Sequence, residues 1–250
     1  MSSSDFKFQI FHISELDSTN IYALAALNAK KAREGDLIWA DFQRHGKGQR
    51  GSQWTAEESK NLLFSLVVEP YMEVEKQFYL SMLVANSLAE LLASLSAKEV
   101  KVKWPNDILI EGKKVAGILI ENNLSGSKIR ASILGVGINV NQKEFGKLSQ
   151  SATSLALQNK KEYNRKSLLQ AWQPIFKEHY NLLKEQKFQQ IKKRYLTHLF
   201  AFKVPYRFQD KAHKFVATIV DVAEDGKLLV KKEEAILAFD LKEIKFIGRV

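Results

Sequence analysis

Cysteine is absent from all 250 residues, which removes any disulfide framework and any thiolate chemistry and fits a reducing cytoplasm. No uninterrupted apolar run approaches the roughly 18 residues of a membrane span. The start, MSSSDFKFQ, lacks the long apolar stretch of a secretory signal, and no internal repeat or low-complexity tract is present. These absences predict a cytoplasmic chain without membrane association. What remains is a composition 45% hydrophobic and 10% aromatic, enough for a sizeable core in one large domain or two unequal ones.

Thirty-eight Lys+Arg against 28 Asp+Glu give a formal charge of +10, which invites a nucleic-acid reading. The distribution argues otherwise. Lysines are scattered, with only short pairs such as Lys113-Lys114, Lys160-Lys161 and Lys192-Lys193, and no basic helix or interleaved aromatic platform. A solvated basic surface is the plain reading; attraction of an anionic small substrate, of an acidic protein partner or of nucleic acid are the alternatives.

Hydrophobic spacing predicts a helix from Ser18 to about Arg33, capped by Ser18 or Thr19 and stopped by Gly35, then a buried strand over 36–42. A second strand over 61–69 ends at Pro70. Phe78, Met82, Ala85, Ala89 and Leu92 mark a helix over 74–95. Three strand-like runs follow, 100–110, 113–122 and 128–140, separated by Glu111-Gly112 and Ser125-Gly126, which predicts an antiparallel meander. Strand 128–140 is expected at its edge, where a second copy of the chain has room to pair. Helical patterning returns over 165–196. From Ala201 onward, short strands alternate with turns at Gln209-Asp210 and Asp225-Gly226, as in a small β-barrel. The expected class is α+β: a mixed, largely antiparallel sheet packed against helices over 1–195, and a small β module over 196–250.

Four clusters interrupt this pattern. HGKGQRGSQW (45–54) contains a literal G-x-G-x-x-G, but the residues after it show no helical spacing and lead into a strand. A dinucleotide fingerprint must open a helix, so another anionic ligand is sought. Gln43, Arg44, Lys47, Gln49 and Arg50 surround its glycines with donors, and Trp54 offers a face for a base, although a mobile surface loop is the bland alternative. Asp17-Ser18-Thr19-Asn20 reads as a helix cap, Trp104-Pro105-Asn106-Asp107 as a turn, and Gly135-Val136-Gly137-Ile138-Asn139 as a crowded strand crossing. Lys114 follows a hairpin turn, a place where lysines usually face solvent.

Taken together and in this order, the clusters resemble the biotin protein ligases. KWPND followed by K-x-AGIL-x-E carries the resemblance most specifically, LDSTN and the glycine loop support it, and it covers nearly the whole chain. It implies a class II synthetase-like catalytic domain with an SH3-like C-terminal barrel. It also implies joining of biotin to ATP, with Mg²⁺, through biotinyl-5′-AMP, and transfer to one lysine of a biotin carboxyl carrier protein. The resemblance assigns Lys47 and Lys114 to charge stabilisation, with Lys103 supporting, and Asp107 to the acceptor amine. Ser18, Thr19, Asn20, Gln43, Gly46, Lys114 and Gly117 are assigned to biotin, and Lys47, Gln49, Arg50, Trp54, Asn106 and Asn139 to the nucleotide. No metal ligand is assigned.

The family loop is usually G-R-G-R-x-G-R-x-W; here Gln49 stands where an arginine is associated with retaining the adenylate. Sixteen residues precede Asp17, too few for the winged-helix domain of bifunctional members, so no specific DNA binding is expected. Homodimerisation is left open. Lipoate ligases and octanoyl transferases share the fold and are the nearest rivals, but a linear acyl chain needs only an apolar slot, whereas a ureido ring needs convergent donors and acceptors.

Overall fold

The structure is a computed structural model that describes residues 6–250, the side chain of Arg50 excepted. The chain runs β1 (Gln9–Leu16), α1 (Thr19–Asn28), β2 (Asp36–Gln43), β3 (Leu62–Val68), β4 (Met72–Glu73) and α2 (Phe78–Leu95). It continues through β5 (Val100–Lys103), β6 (Asp107–Ile110), β7 (Lys113–Ser125), β8 (Lys128–Ile138), α3 (Leu155–Asn159), α4 (Arg165–Lys184) and α5 (Phe188–His198). The main sheet has the order β1-β2-β3-β8-β7-β6-β5, with β4 beside β8. Only β1 and β2 run parallel, because α1 carries the chain back between them.

Helix α1 covers one face of the sheet over a small core of Ala23, Ile38, Ala40, Val67 and Ile133. The other face holds the main core, where α2 and α4 meet the sheet through residues such as Phe64, Leu83, Leu88, Trp172 and Phe176. Phe64 and Trp172 pack with ring centroids 4.8 Å apart and planes inclined at 56°. With the turn before it, α2 (Val74–Leu95) is long and apolar enough to cross a bilayer, yet most of its apolar surface is buried within the fold.

Several sequence expectations change. Strand β1 is additional: as an outer strand exposed on both faces, QIFHISEL shows no period-two burial. Helix α1 stops at Asn28 rather than near Arg33, because Lys30 adopts φ +56° and the Lys31 N–H reaches Ala26 O at 2.8 Å, a left-handed cap made without glycine. Gly35 (φ +93°) serves instead between strands, where a Cβ would collide with Lys7 O. The run 100–110 is a hairpin, β5 and β6, turning at Trp104-Pro105-Asn106 with a cis Trp104–Pro105 bond. Strand β8 lies between β3 and β7, not at an edge, so its backbone offers no free ladder to a second copy. The helical stretch 165–196 is divided where Gln186 takes φ +55°.

Residues 205–249 form a second, five-stranded antiparallel sheet: β9 (Pro205–Gln209), β10 (Lys214–Val222), β11 (Leu228–Lys232), β12 (Ala235–Phe239) and β13 (Lys245–Arg249). Its order is β12-β11-β10-β9-β13, and among the described residues the end strands are not paired with one another, so the expected small β module is an antiparallel sheet that does not close into a barrel. It is fastened to the main body by Trp104 Nε1–H donating to Gly226 O (2.8 Å), Tyr79 O–H donating to Glu224 (3.0 Å) and the Lys192–Asp221 ion pair (2.7 Å).

Candidate active site

Strand register brings the site together. Lys103 pairs with Asp107, Asp107 with Gly117, Gly117 with Gly137, and Gly137 with Leu63, so this row shares one sheet face, the face that carries α1. Two residues along, about 7 Å away at strand rise, Leu119, Gly135 and Ser65 form a second row. Lys114 belongs to this face only through a bulge: Ala116 pairs with Ile108 but Lys114 with Leu109, leaving Val115 as the extra residue. Its Nζ then stands 2.6 Å from Asp107 Oδ1 and 5.3 Å from the Trp54 ring centre. Lys114 N–H donates to Ser151 O, and Lys114 O accepts from Thr153 N–H, which fixes the backbone of the amine's own residue.

The glycine loop folds down as a flap between the neighbouring antiparallel strands β2 and β3. A Lys47–Gln53 bridge, Trp54 N–H to Gly46 O (2.9 Å) and Gly48 N–H to Ser52 O (2.7 Å) shape it around a turn at Gln49–Gly51. The Trp54 indole lies on the paired glycines. A Cβ on Gly137 would come within 2.5 Å of it and one on Gly117 within 2.9 Å, while Trp54 Nε1 is buried without a partner. One root of the flap is tied through Arg44 Nε to Asp17 Oδ1 (3.0 Å), with His45 beside them. Hydrogen bonds from Arg44, the larger effect, and from His45 hold the Asp17 carboxyl below the usual carboxylate range. The other root is tied by Gln142 Oε1 to Asn61 and Glu57 N–H, and by the Arg165–Asp41 pair at 2.7 Å.

The DSTN residues do not behave as a side-chain cap. Ser18 occupies the N-cap position of α1 without a capping hydrogen bond, and the neighbouring side chains turn toward the sheet. Gln43 Oε1 accepts from Thr19 N–H (2.7 Å) and lies 3.0 Å from Thr19 Oγ1. Ser65 Oγ lies 2.7 Å from Thr19 Oγ1 and 2.6 Å from Asn20 Oδ1. Asn20 Nδ2 donates to Glu121 Oε2 (2.7 Å) and Leu119 O (3.2 Å). Gly135 is glycine for a local reason: a Cβ there would collide with the Asn20 amide.

Between these groups lies a cavity of about 240 Å³. It is lined by Ser18, Thr19, Asn20, Gln43, Lys47, Gln49, Trp54, Asn106, Asp107, Lys114 and Gly117, all singled out from sequence. Asn106 is held there by donating from Nδ2 to Ile118 O at 2.8 Å. Three others lie elsewhere. Lys103 directs its amine over Phe246, 5.3 Å from the ring centre; Asn139 is buried, donating from Nδ2 to Thr153 O; Gly46 lies within the flap itself, against Trp54 O. The Arg50 side chain is outside the described residues. Sequence reading missed Ser65 and Glu121, although one hydroxyl inside NLLFSLVVE and one carboxylate ending VAGILIE were visible interruptions of apolar strands.

This geometry has relatives. The family model of the biotin/lipoate A/B protein ligases matches residues 13–139, just over half of the chain. The chain belongs to that family. It is 30% identical to the bifunctional ligase/repressor BirA of Bacillus subtilis over 91% of its own length and 70% of the relative's. The corresponding protein of Bacillus spizizenii is 29% identical over 82% of this chain, which spans 64% of that relative. In three dimensions, the biotin protein ligase of Aquifex aeolicus in complex with biotin and ATP superposes with a TM-score of 0.79 at 28% identity, covering 96% of this chain and 99% of that one. The α+β class and the sheet-on-helix layout are thus those of the ligase family.

Proposed function

We propose that this chain activates biotin with ATP and transfers it to a lysine of a biotin carboxyl carrier protein. The observation that carries the reading is the Lys114–Asp107 pair, set beneath a tryptophan flap at one side of a cavity whose other side is lined with uncharged donors and acceptors. A ligand with a neutral polar head and an anionic tail fits that polarity.

In the first step a biotin carboxylate oxygen attacks the α-phosphorus of ATP, the bond to the pyrophosphate oxygen breaks, and pyrophosphate leaves. Two anions meet, so Lys114 and Lys47 offset their repulsion and the charge that grows in the transition state. In the second step the carrier lysine's amine attacks the acyl carbon and AMP departs with the electrons of the carbon–oxygen bond; Asp107 orients the incoming amine and takes its proton. Mg²⁺ enters with the ATP phosphates, which suits a cation that keeps oxygen ligands from its substrate. Among the described residues no set of three His, Cys, Asp or Glu side chains is grouped to hold a metal by itself.

A cavity of about 240 Å³ is small for biotin and a nucleotide together, so Trp54 shifts to admit adenine and its buried indole N–H gains an acceptor. Gln49 at the flap tip lines the cavity and faces the adenylate phosphate. Asn139 acts from behind, holding Thr153 and through it the Lys114 backbone. Residues 1–195 are the catalytic part and 196–250 a supporting β module. The setting is the cytoplasm, with no specific DNA ligand. Pyrophosphate release measured with ATP, Mg²⁺ and either biotin or lipoate is the test: release with lipoate alone replaces this reading by the lipoate one, and neither acid supporting release removes both.

A further inference from the structure

One hydroxyl carries one proton, and that constraint gives the buried network at the cavity end a direction. Ser65 Oγ touches two oxygens, Thr19 Oγ1 at 2.7 Å and Asn20 Oδ1 at 2.6 Å. The Asn20 amide has its orientation set independently, because its Nδ2 faces two pure acceptors, Glu121 Oε2 and Leu119 O. Its Oδ1 therefore faces Ser65, and it can only accept. The Ser65 proton goes to Asn20, and the contact with Thr19 is a hydrogen bond only if Thr19 donates.

Thr19 has a second acceptor, Gln43 Oε1 at 3.0 Å, but that atom already takes the Thr19 N–H at 2.7 Å. Either way the Thr19 proton is committed to the protein. Ser65 is fully buried and Asn20 and Thr19 nearly so, so water does not compete for these bonds. What Thr19 can offer a ligand is a lone pair, and what Gln43 can offer is its Nε2–H₂, which has no protein acceptor among the described residues.

We propose that Ser65, Asn20 and Glu121 are positioning residues: a one-way hydrogen-bond relay, anchored on the Glu121 carboxylate, that makes Thr19 an acceptor beside the Gln43 donor and so selects a ligand bearing adjacent N–H and C=O groups. The inference rests on the ligase reading and names the feature that separates a ureido ring from a linear acyl chain at the same site. No relay residue touches the reacting atoms, so its effect falls on recognition rather than on the chemical step.

The test is steady-state pyrophosphate release by the full chain, with KM for biotin, KM for ATP and kcat measured separately. Ser65→Ala is expected to raise KM for biotin about tenfold, with kcat and KM for ATP within about twofold of the parent. Glu121→Met, at a partly exposed position that tolerates change, is expected to raise it about threefold, since Leu119 O still accepts from Asn20. Glu121→Gln is expected to restore the parent value, because its carbonyl oxygen accepts the same N–H. A parent without biotin-dependent release overturns the ligase reading. A biotin-dependent parent whose Ser65→Ala and Glu121→Met forms keep its KM for biotin overturns the relay alone; if Ser65→Ala does not fold, the Glu121 pair decides. A loss confined to kcat, or no difference between Glu121→Gln and Glu121→Met, overturns it as well.

Discussion

Replacing Lys114 by alanine removes an ammonium that stands 2.6 Å from Asp107 in a partly shielded place, with the two side chains 35% and 25% exposed. Two losses follow. The first is the cation at the reacting phosphate: removing one preorganised stabiliser of developing charge typically costs 10²–10³ in kcat. The second is the unmasking of Asp107. A carboxylate about 4 Å from a phosphate oxygen repels it by about 4 kcal/mol at an effective dielectric of 20, and the exposure of the pair reduces this to roughly half. Together the single substitution is expected to slow adenylation by about 3 × 10³ to 3 × 10⁴, while biotin binding without ATP changes by less than about threefold. Adding Asp107→Asn to Lys114→Ala removes the second loss and is expected to recover about thirtyfold in the first step, while on its own it impairs transfer to the acceptor. Single-turnover pyrophosphate release by stopped flow measures the first step, and calorimetry measures biotin affinity. A Lys114→Ala rate within about fivefold of the parent would refute a role for the amine in the chemistry.

Trp54→Ala is expected to weaken ATP binding to the biotin-bound protein by about 1–3 kcal/mol, the range for stacking of a base on an aromatic ring; equal nucleotide affinity in calorimetry would count against stacking. Gln49→Arg is expected to slow dissociation of biotinyl-AMP about tenfold, since a charge-assisted hydrogen bond is about twice as strong as a neutral one, and an unchanged or faster off-rate would show that another cation already fills that place. Burial pushes the His179 imidazole below its ordinary pKa, with the hydrogen bond to Glu90 opposing, nearby Arg194 adding to the depression and Glu178 working against it. The unfolded chain then takes the proton first as pH falls below about 6.5, so stability drops from there down to the folded pKa, by up to about 1.4 kcal/mol per pH unit for this group. A Tm profile from pH 7.5 to 5.5 that is as steep in His179→Phe as in the parent would assign that loss to other groups.

The parts legible from sequence were those where spacing and chemistry agree. Helix α2 declared itself by period, and the glycine loop declared its partner strands because nothing helical follows Gly51. The parts that were not legible depend on partners distant along the chain. Nothing in QIFHISEL shows that one edge of the strand will be left unpaired. Lys30 ends α1 in a conformation usually given to glycine, so a glycine five residues later took the credit. The DSTN side chains read as a cap because such residues cap most helices; what redirects them is Ser65, forty-five residues away from Asn20, and Gln43, twenty-four from Thr19. The glycines of GVGIN were read as a crowded crossing, which is right, but the crowding comes from Asn20 and Trp54 rather than from another strand.

The bulge at Val115 makes the location of the Lys114 amine a matter of counting. Alternation along β7 would place position 114 on the side of the sheet that holds α2 and α4, and one surplus residue reverses that parity. Straightening the ladder with Val115 kept would leave every residue type in the chain, yet pair Lys114 with Ile110 and send the ammonium toward Val102 and the apolar core, whereas deleting Val115 removes the surplus residue and leaves Lys114 opposite Leu109, on the face of Asp107. The pairing of Lys114 with Leu109 rather than with Ile110 is thus as much a part of the proposed chemistry as the lysine itself.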